Sequence, residues 1–129
     1  MNSIVLDSSA ALAMLLGEPG GDRVMHAFLN QGDWIAMSAV NWSEVLTRLQ
    51  RKSPTVTAEK LTAMLPGIEI VPFGQVEAEG TSLMAKNCGA LSLGDRACLS
   101  LALSRGVAAW TTDKIWSKMP HQAKIEMLR

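Results

Sequence analysis

Apolar and polar positions along this chain change period repeatedly, and the changes divide it into alternating strands and helices. Ile4-Val5-Leu6 is a continuous apolar run closed by Asp7-Ser8-Ser9, which predicts a short buried strand. Residues 10–16 then read as a helix, ended by Gly17, Pro19 and the Gly20-Gly21 pair. A second helix is predicted over 22–29, where Val24, Met25, Phe28 and Leu29 form one stripe. Trp34-Ile35-Ala36-Met37 is the next strand, ended by Ser38. From Val40 the period turns helical, with Trp42, Val45, Leu46 and Leu49 on one face and Ser53-Pro54 as the stop.

The alternation continues to the end of the chain. A short helix is predicted over 58–65, a strand over 68–71 closed by Pro72, and a helix from Gln75 to about Lys86. Ser92 and Asp95 have the spacing of a capping box for a helix that ends at Ser104-Arg105-Gly106. Val107-Ala108-Ala109-Trp110 is a fourth buried strand leading into Thr111-Thr112-Asp113. A helical turn carries Ile115 and Trp116, and 125–128 reads as a last edge strand. Strands alternating with helices throughout predict an α/β fold, a mostly parallel sheet of four to five strands flanked by helices.

Composition narrows the class without changing this picture. The 129 residues suit one domain with one substantial core, and 48% apolar with 19% charged side chains excludes a disordered chain. No apolar run approaches the roughly 20 residues of a membrane span. The opening residues lack the basic start, apolar run and small-residue cleavage site of an export signal. Cys88 and Cys98 have no metal-type spacing and suit a reduced interior, so the expected location is the cytoplasm. The net charge is zero but unevenly spread. Residues 1–85 hold five basic and nine acidic side chains, whereas 86–129 hold seven and three. A cation neutralising Asp95 and Asp113 would leave the C-terminal part basic enough to attract a phosphate backbone.

The candidate chemistry lies in four acids. Asp7 follows the first strand and Asp113 the fourth, while Glu44 and Asp95 are each expected in the first turn of a helix. In an open parallel sheet, strand C-termini and the N-termini of the following helices share one edge, where ligands bind. Each acid alone has a bland explanation: Asn41-x-x-Glu44 and Ser92-x-x-Asp95 resemble capping boxes, and Asp7 and Asp113 can cap the helices they precede. Together they point to a shared cation, because clustered carboxylates raise one another's pKa unless a cation holds them. An all-oxygen set suits Mg²⁺ or Mn²⁺. Such an ion activates water against a phosphodiester, with a further carboxylate orienting the nucleophile.

These stretches resemble the PIN-domain ribonucleases. Ile4-Val5-Leu6-Asp7-Ser8-Ser9-Ala10-Ala11-Leu12 is similar to the family's opening motif, and Ser38-Ala39-Val40-Asn41-Trp42-Ser43-Glu44-Val45 to its second. The stretch from Leu91 to Ala102 is similar to the third, and Thr111-Thr112-Asp113-Lys114-Ile115-Trp116 to the fourth. The resemblance covers essentially the whole chain, and within the family it is to VapC-type toxins of toxin–antitoxin systems. It implies a three-layer PIN-like domain over residues 1–129 and a metal-dependent endoribonuclease selective for single-stranded RNA. It also implies a homodimer, inhibited by a cognate antitoxin that inserts a segment near the acidic pocket. Asp7, Glu44, Asp95 and Asp113 match the family's acidic quartet around Mg²⁺ or Mn²⁺, with Asp7 and Asp95 most directly tied to the metal. Ser8 and Thr112 match polar neighbours able to hydrogen-bond the acids or a metal-bound water. Gly74 and Ala90 depart from the family pattern, and neither belongs to the quartet.

Other residues carry weaker signals. Arg96, beside Asp95, and Trp116, beside Lys114 and Lys118, are candidate RNA contacts. For Trp116, packing under the pocket rim is the competing role. His26 and His121 lack ligand spacing and are expected at the surface; Trp42, Trp110 and Cys98 are expected in the core. A phosphatase with Asp7 as nucleophile would need a second acid two residues on, where this chain has Ser9. The remaining alternative is a catalytically weak or inactive PIN-like module that binds RNA or an antitoxin.

Overall fold

The computed structural model describes residues 3–30, 33–118 and 123–129. Five strands, β1 (Ser3–Leu6), β2 (Trp34–Ser38), β3 (Glu69–Val71), β4 (Ala108–Thr111) and β5 (Ile125–Met127), form one sheet in the order β3-β2-β1-β4-β5. Every pairing is parallel, from Ile4 against Ile35 and Ala108 at the centre to Trp110 against Glu126 at the edge. The helices are α1 (Ser8–Leu15), α2 (Gly21–Leu29), α3 (Ala39–Lys52), α4 (Ala58–Met64), α5 (Gln75–Leu83), α6 (Ala85–Cys88) and α7 (Leu93–Arg105). A 3-10 helix spans Lys114–Lys118. Among the described residues, no helix is long and apolar enough to cross a membrane. His121 lies outside the described residues.

Side-chain alternation on β1 divides the interior into two cores. Ile4 and Leu6 join Ile35, Met37, Val24, Val45, Leu61 and Leu65 on one face of the sheet. Val5 joins Ala109, Cys98, Leu99, Ala102 and Trp116 on the other. A strand buried on both faces reads as a continuous apolar run, which is why Ile4-Val5-Leu6 has no polar position.

Most of the predicted elements form, with boundaries moved by local chemistry. α1 starts two residues earlier than its apolar run because Asp7 caps it, accepting from the Ala10 amide. The predicted helix over 75–86 divides at Met84 into α5 and α6. The residue at the cap of α5 is Gly74, which has no side chain to cap with; the Glu77 carboxylate accepts from its amide instead, at 2.9 Å. α3 is capped by Ser38, whose hydroxyl accepts from Val40, so Asn41 is not a cap and Glu44 is not in the first turn. The polar spacing at 41–44 matches a capping box, but the cap itself lies earlier in the chain, at the end of β2.

Both edge strands are three residues long and are held by ion pairs. On β3, Glu69 takes both guanidinium nitrogens of Arg105 at 2.7 Å and the Trp34 indole N–H at 2.7 Å. These hydrogen bonds, Arg105 first, hold the Glu69 carboxyl down at about 2. On β5, Arg23 of α2 pairs with Glu126, donates to the Met127 carbonyl and lies over the Trp110 ring.

The α1–α2 hairpin rests on a backbone contact that only glycine permits. A Cβ on Gly21 would lie 2.3 Å from the Ala13 carbonyl oxygen, whereas Gly17, at φ +67°, has open space around it. Gly21→Ala is therefore predicted to cost about 2–3 kcal/mol, since the helices must separate, and Gly17→Ala about 1 kcal/mol, from backbone strain alone. Urea denaturation of the two variants checks this, and equal losses would contradict it.

Candidate metal centre

The chain runs from β1 outward to β2 and β3, then returns to place β4 on the other side of β1. Their C-terminal ends open the crevice where ligands bind in such sheets. Asp7 leaves β1 at this point, directly after Leu6, and Asp113 lies just past the end of β4 at Thr111.

Asp7 is only 2% exposed, and its carboxylate is tied on both oxygens. Oδ1 accepts from the Ala10 amide at 2.8 Å and the Ser9 hydroxyl at 2.7 Å. Oδ2 accepts from the Thr111 hydroxyl at 2.7 Å and more weakly from Ser9 at 2.9 Å. Those hydroxyls are themselves anchored, Ser9 Oγ accepting from the Thr112 amide and Thr111 Oγ1 from the Asp113 amide. The network stitches the ends of β1 and β4 together around one carboxylate. Burial still outweighs it: desolvation pushes the Asp7 carboxyl up to about 6 against the hydrogen bonds that lower it, and the charge of Asp95 adds to the rise.

Asp95 is half-buried in the first turn of α7, where the Ser92 hydroxyl accepts from its amide at 3.1 Å. Its carboxyl is also raised, chiefly by burial and then by the charges of Asp113 and Glu44, while Ser92 pulls it down. Asp95 thus feels the other members of the quartet, and no basic side chain is among the groups that perturb Asp7 or Asp95. Glu44 comes from α3, exposed to solvent, and its carboxylate accepts from Asn41 at 3.0 Å. Asp113 is half-buried, with Oδ1 accepting from the Ile115 amide at 3.1 Å at the start of the 3-10 helix. Cys98 lies one turn along α7 from Asp95; burial, with Asp7, Asp95 and Glu44 nearby, keeps it a neutral thiol.

Several expected roles pass to neighbouring residues. The hydroxyls that bond Asp7 belong to Ser9 and Thr111 rather than to Ser8 and Thr112, the positions that the motifs indicate; Thr112 contributes its amide. An apolar run and a polar turn do not show which of two adjacent hydroxyls points inward. Trp116, for which the sequence allows base stacking or packing, is 0% exposed in the core beneath α7, so the packing role holds and its ring is not a surface for RNA. Its place on a short turn between lysines hides that burial. Arg96 is half-buried, with Nε 3.4 Å from the Leu91 carbonyl.

The donor set fits a hard divalent cation: carboxylates only, two of them with pKa raised chiefly by burial and further by neighbouring carboxylates, and none in an ion pair with a basic side chain among the described residues. Among the described residues no three candidate ligands form a ready cage. Mg²⁺ does not require one, since it keeps several waters and binds through one or two carboxylates.

Asp7 also makes the fold sensitive to pH. Its carboxyl is raised from 3.8 to about 6, so its contribution to stability is complete below about pH 4 and is lost as pH rises through 6. Asp7→Asn keeps an acceptor for Ala10 and removes the buried charge. It is predicted to stabilise the metal-free protein at pH 8 by up to about 3 kcal/mol, and much less at pH 4. Urea titrations in chelator at the two pH values measure this; an equal gain at both would show that no buried charge is involved.

Comparison with known proteins agrees with the fold. A search of curated protein sequences finds no match. Among solved structures, a toxin–antitoxin complex from Klebsiella pneumoniae superimposes with TM-score 0.72 at 18% identity, covering 98% of each chain. VapBC2 from Rickettsia felis, solved with a promoter DNA fragment, gives 0.70 at 16%, covering 97% of this chain and 98% of that one. VapC20 of Mycobacterium tuberculosis, a toxin that cleaves the Sarcin-Ricin loop, gives 0.70 at 16%, covering 89% and 93%. The sequence profile of the PIN domain matches residues 4–122. With that match over most of the chain and this sheet order, the protein belongs to the PIN-domain family.

Proposed function

We propose that this protein is a divalent-metal-dependent endoribonuclease of the VapC toxin type, cleaving RNA phosphodiester bonds. The observation that carries the reading is the position of Asp95 at the crevice beside β1 and β4, where the charges of Asp113 and Glu44 bear on it and its own charge bears on Asp7, with no ion pair to any of the four among the described residues. The likeness to VapC20 and to VapBC complexes supports it.

In this reading Asp7 and Asp95 are the principal ligands of Mg²⁺ or Mn²⁺, with Glu44 and Asp113 completing the set. The ion, when bound, supplies an acidified water and stabilises charge developing on the phosphoryl group. Ser9 and Thr111 hold the Asp7 carboxylate in one orientation, so little reorganisation accompanies binding. Asp113 and Glu44, the two acids for which solvent access is combined with a single anchoring hydrogen bond, orient the attacking water, and one of them accepts its proton. Arg96, half-buried next to Asp95, offers a cation to the substrate phosphate. A cognate antitoxin would cover the acidic crevice, and the active form is a homodimer.

The test is cleavage of structured and single-stranded RNA by the wild type and by Asp7→Ala and Asp95→Asn. Cleavage is expected with Mg²⁺ or Mn²⁺, to be abolished by chelator, and to fall by about 100-fold or more in each variant. Cleavage that survives both substitutions would overturn the mechanism. RNA binding without cleavage by the wild type would favour the inactive binding module instead.

A further inference from the structure

Asn41 is the third residue of α3 and is 0% exposed. Its Nδ2 donates two hydrogen bonds, one to Glu44 Oε1 and one to the Gly94 carbonyl, each at 3.0 Å. A single amide therefore spans two helices. It joins the Glu44 carboxylate to the backbone of α7 at the residue before Asp95.

Two further observations separate this from ordinary packing. The Asn41 Oδ1 atom is buried and accepts no hydrogen bond among the described residues. A buried acceptor without a partner destabilises the fold, and an apolar side chain of similar size would avoid that cost. What the asparagine contributes here is therefore the donor side of its amide, which reaches both Glu44 and the backbone of α7. In addition, Glu44 lies so close to α7 that a Cβ on Gly94 would stand 2.4 and 2.6 Å from its two carboxylate oxygens. Gly94 leaves the space that Glu44 occupies, and Asn41 keeps it there. Without that hydrogen bond, an exposed glutamate on a helix surface would sample several rotamers.

We propose that Asn41 is a positioning residue: its amide fastens Glu44 to the N-terminus of α7, holding Glu44 and Asp95 at a fixed separation for one divalent cation. This rests on the reading of the four acids as a cation site. Asn41 touches neither substrate nor ion; it acts through Glu44.

Mn²⁺ titration of the full chain, followed by the electron paramagnetic resonance signal of free Mn²⁺ and normalised to folded protein, tests the proposal. Asn41→Ala and Asn41→Leu, whose side chain branches at the same atom without a donor, are each expected to weaken Mn²⁺ binding about 10-fold, and in the Glu44→Ala background to change it less than twofold. Gly94→Ala, which displaces Glu44 from the other side, is expected to give a similar loss and serves if the Asn41 variants fold poorly. In RNA cleavage, kcat should fall by a comparable factor while KM for RNA stays within about twofold. Unchanged Mn²⁺ affinity in these variants, or equal weakening with and without Glu44, would overturn the positioning role while leaving the cation site standing. A wild type that binds no Mn²⁺ would overturn both.

Discussion

A carboxylate is buried where the central strand ends, and much of the surrounding architecture serves to hold it there. Asp7 caps α1, receives the hydroxyls of Ser9 and Thr111, and through them takes in the backbone of Thr112 and Asp113. The same group thus terminates β1, starts α1 and ties β1 to β4. Burial raises its pKa despite these bonds, because desolvation of a charge in the interior outweighs three or four hydrogen bonds. The fold tolerates this charge only in a frame that is otherwise tightly packed. Val5 and Leu6 beside it are fully buried, and the neighbouring α1 is lined by Ala10, Ala11 and Ala13. Small side chains let α1 lie close to the sheet and bring the capped carboxylate to its edge.

The other three acids are held less firmly, and in a graded way. Asp95 sits on a capped helix start, Asp113 turns back onto the amide of Ile115, and Glu44 depends on Asn41. An order therefore runs from a fixed, buried acid to an exposed, tethered one. That grading suits a site where one ligand is preorganised and others adjust to a hydrated ion. The β3 edge of the sheet is organised differently. There Glu69 is neutralised outright by Arg105 and held by Trp34. Carboxylates in two parts of one fold are thus shifted in opposite directions, Glu69 down by the Arg105 guanidinium and Asp7 and Asp95 up, chiefly by burial.

Hydrophobic period is enough to place nearly every strand and helix, because β1, β2 and β4 are largely buried on both faces and the helices end at Gly, Pro or Ser-Pro signals. It also brings out Asp7 and Asp113, since strand ends are legible as local changes of period, and Asp95, through the capping spacing of its helix; Glu44 lies beyond the first turn of α3. Local patterns mislead where two readings share one spacing. Asn41 and Glu44 have the separation of a capping box, yet the helix starts at Ala39 and the same i, i+3 geometry serves a side-chain bond instead. Trp116 stands between lysines and reads as open, yet its ring lies in the core.

The amino-acid sequence by itself determined the α/β alternation, the acids at the junctions and the family motifs that contain them. Those are local properties, carried by the period of the side chains and by capping chemistry. Only the tertiary structure decided that Ser9 and Thr111 face Asp7, that Gly94 leaves room for Glu44, and that Asn41 bridges α3 to α7. Each of these joins residues far apart in the chain or selects between adjacent hydroxyls. Such contacts depend on strand order and helix packing, which no local pattern encodes.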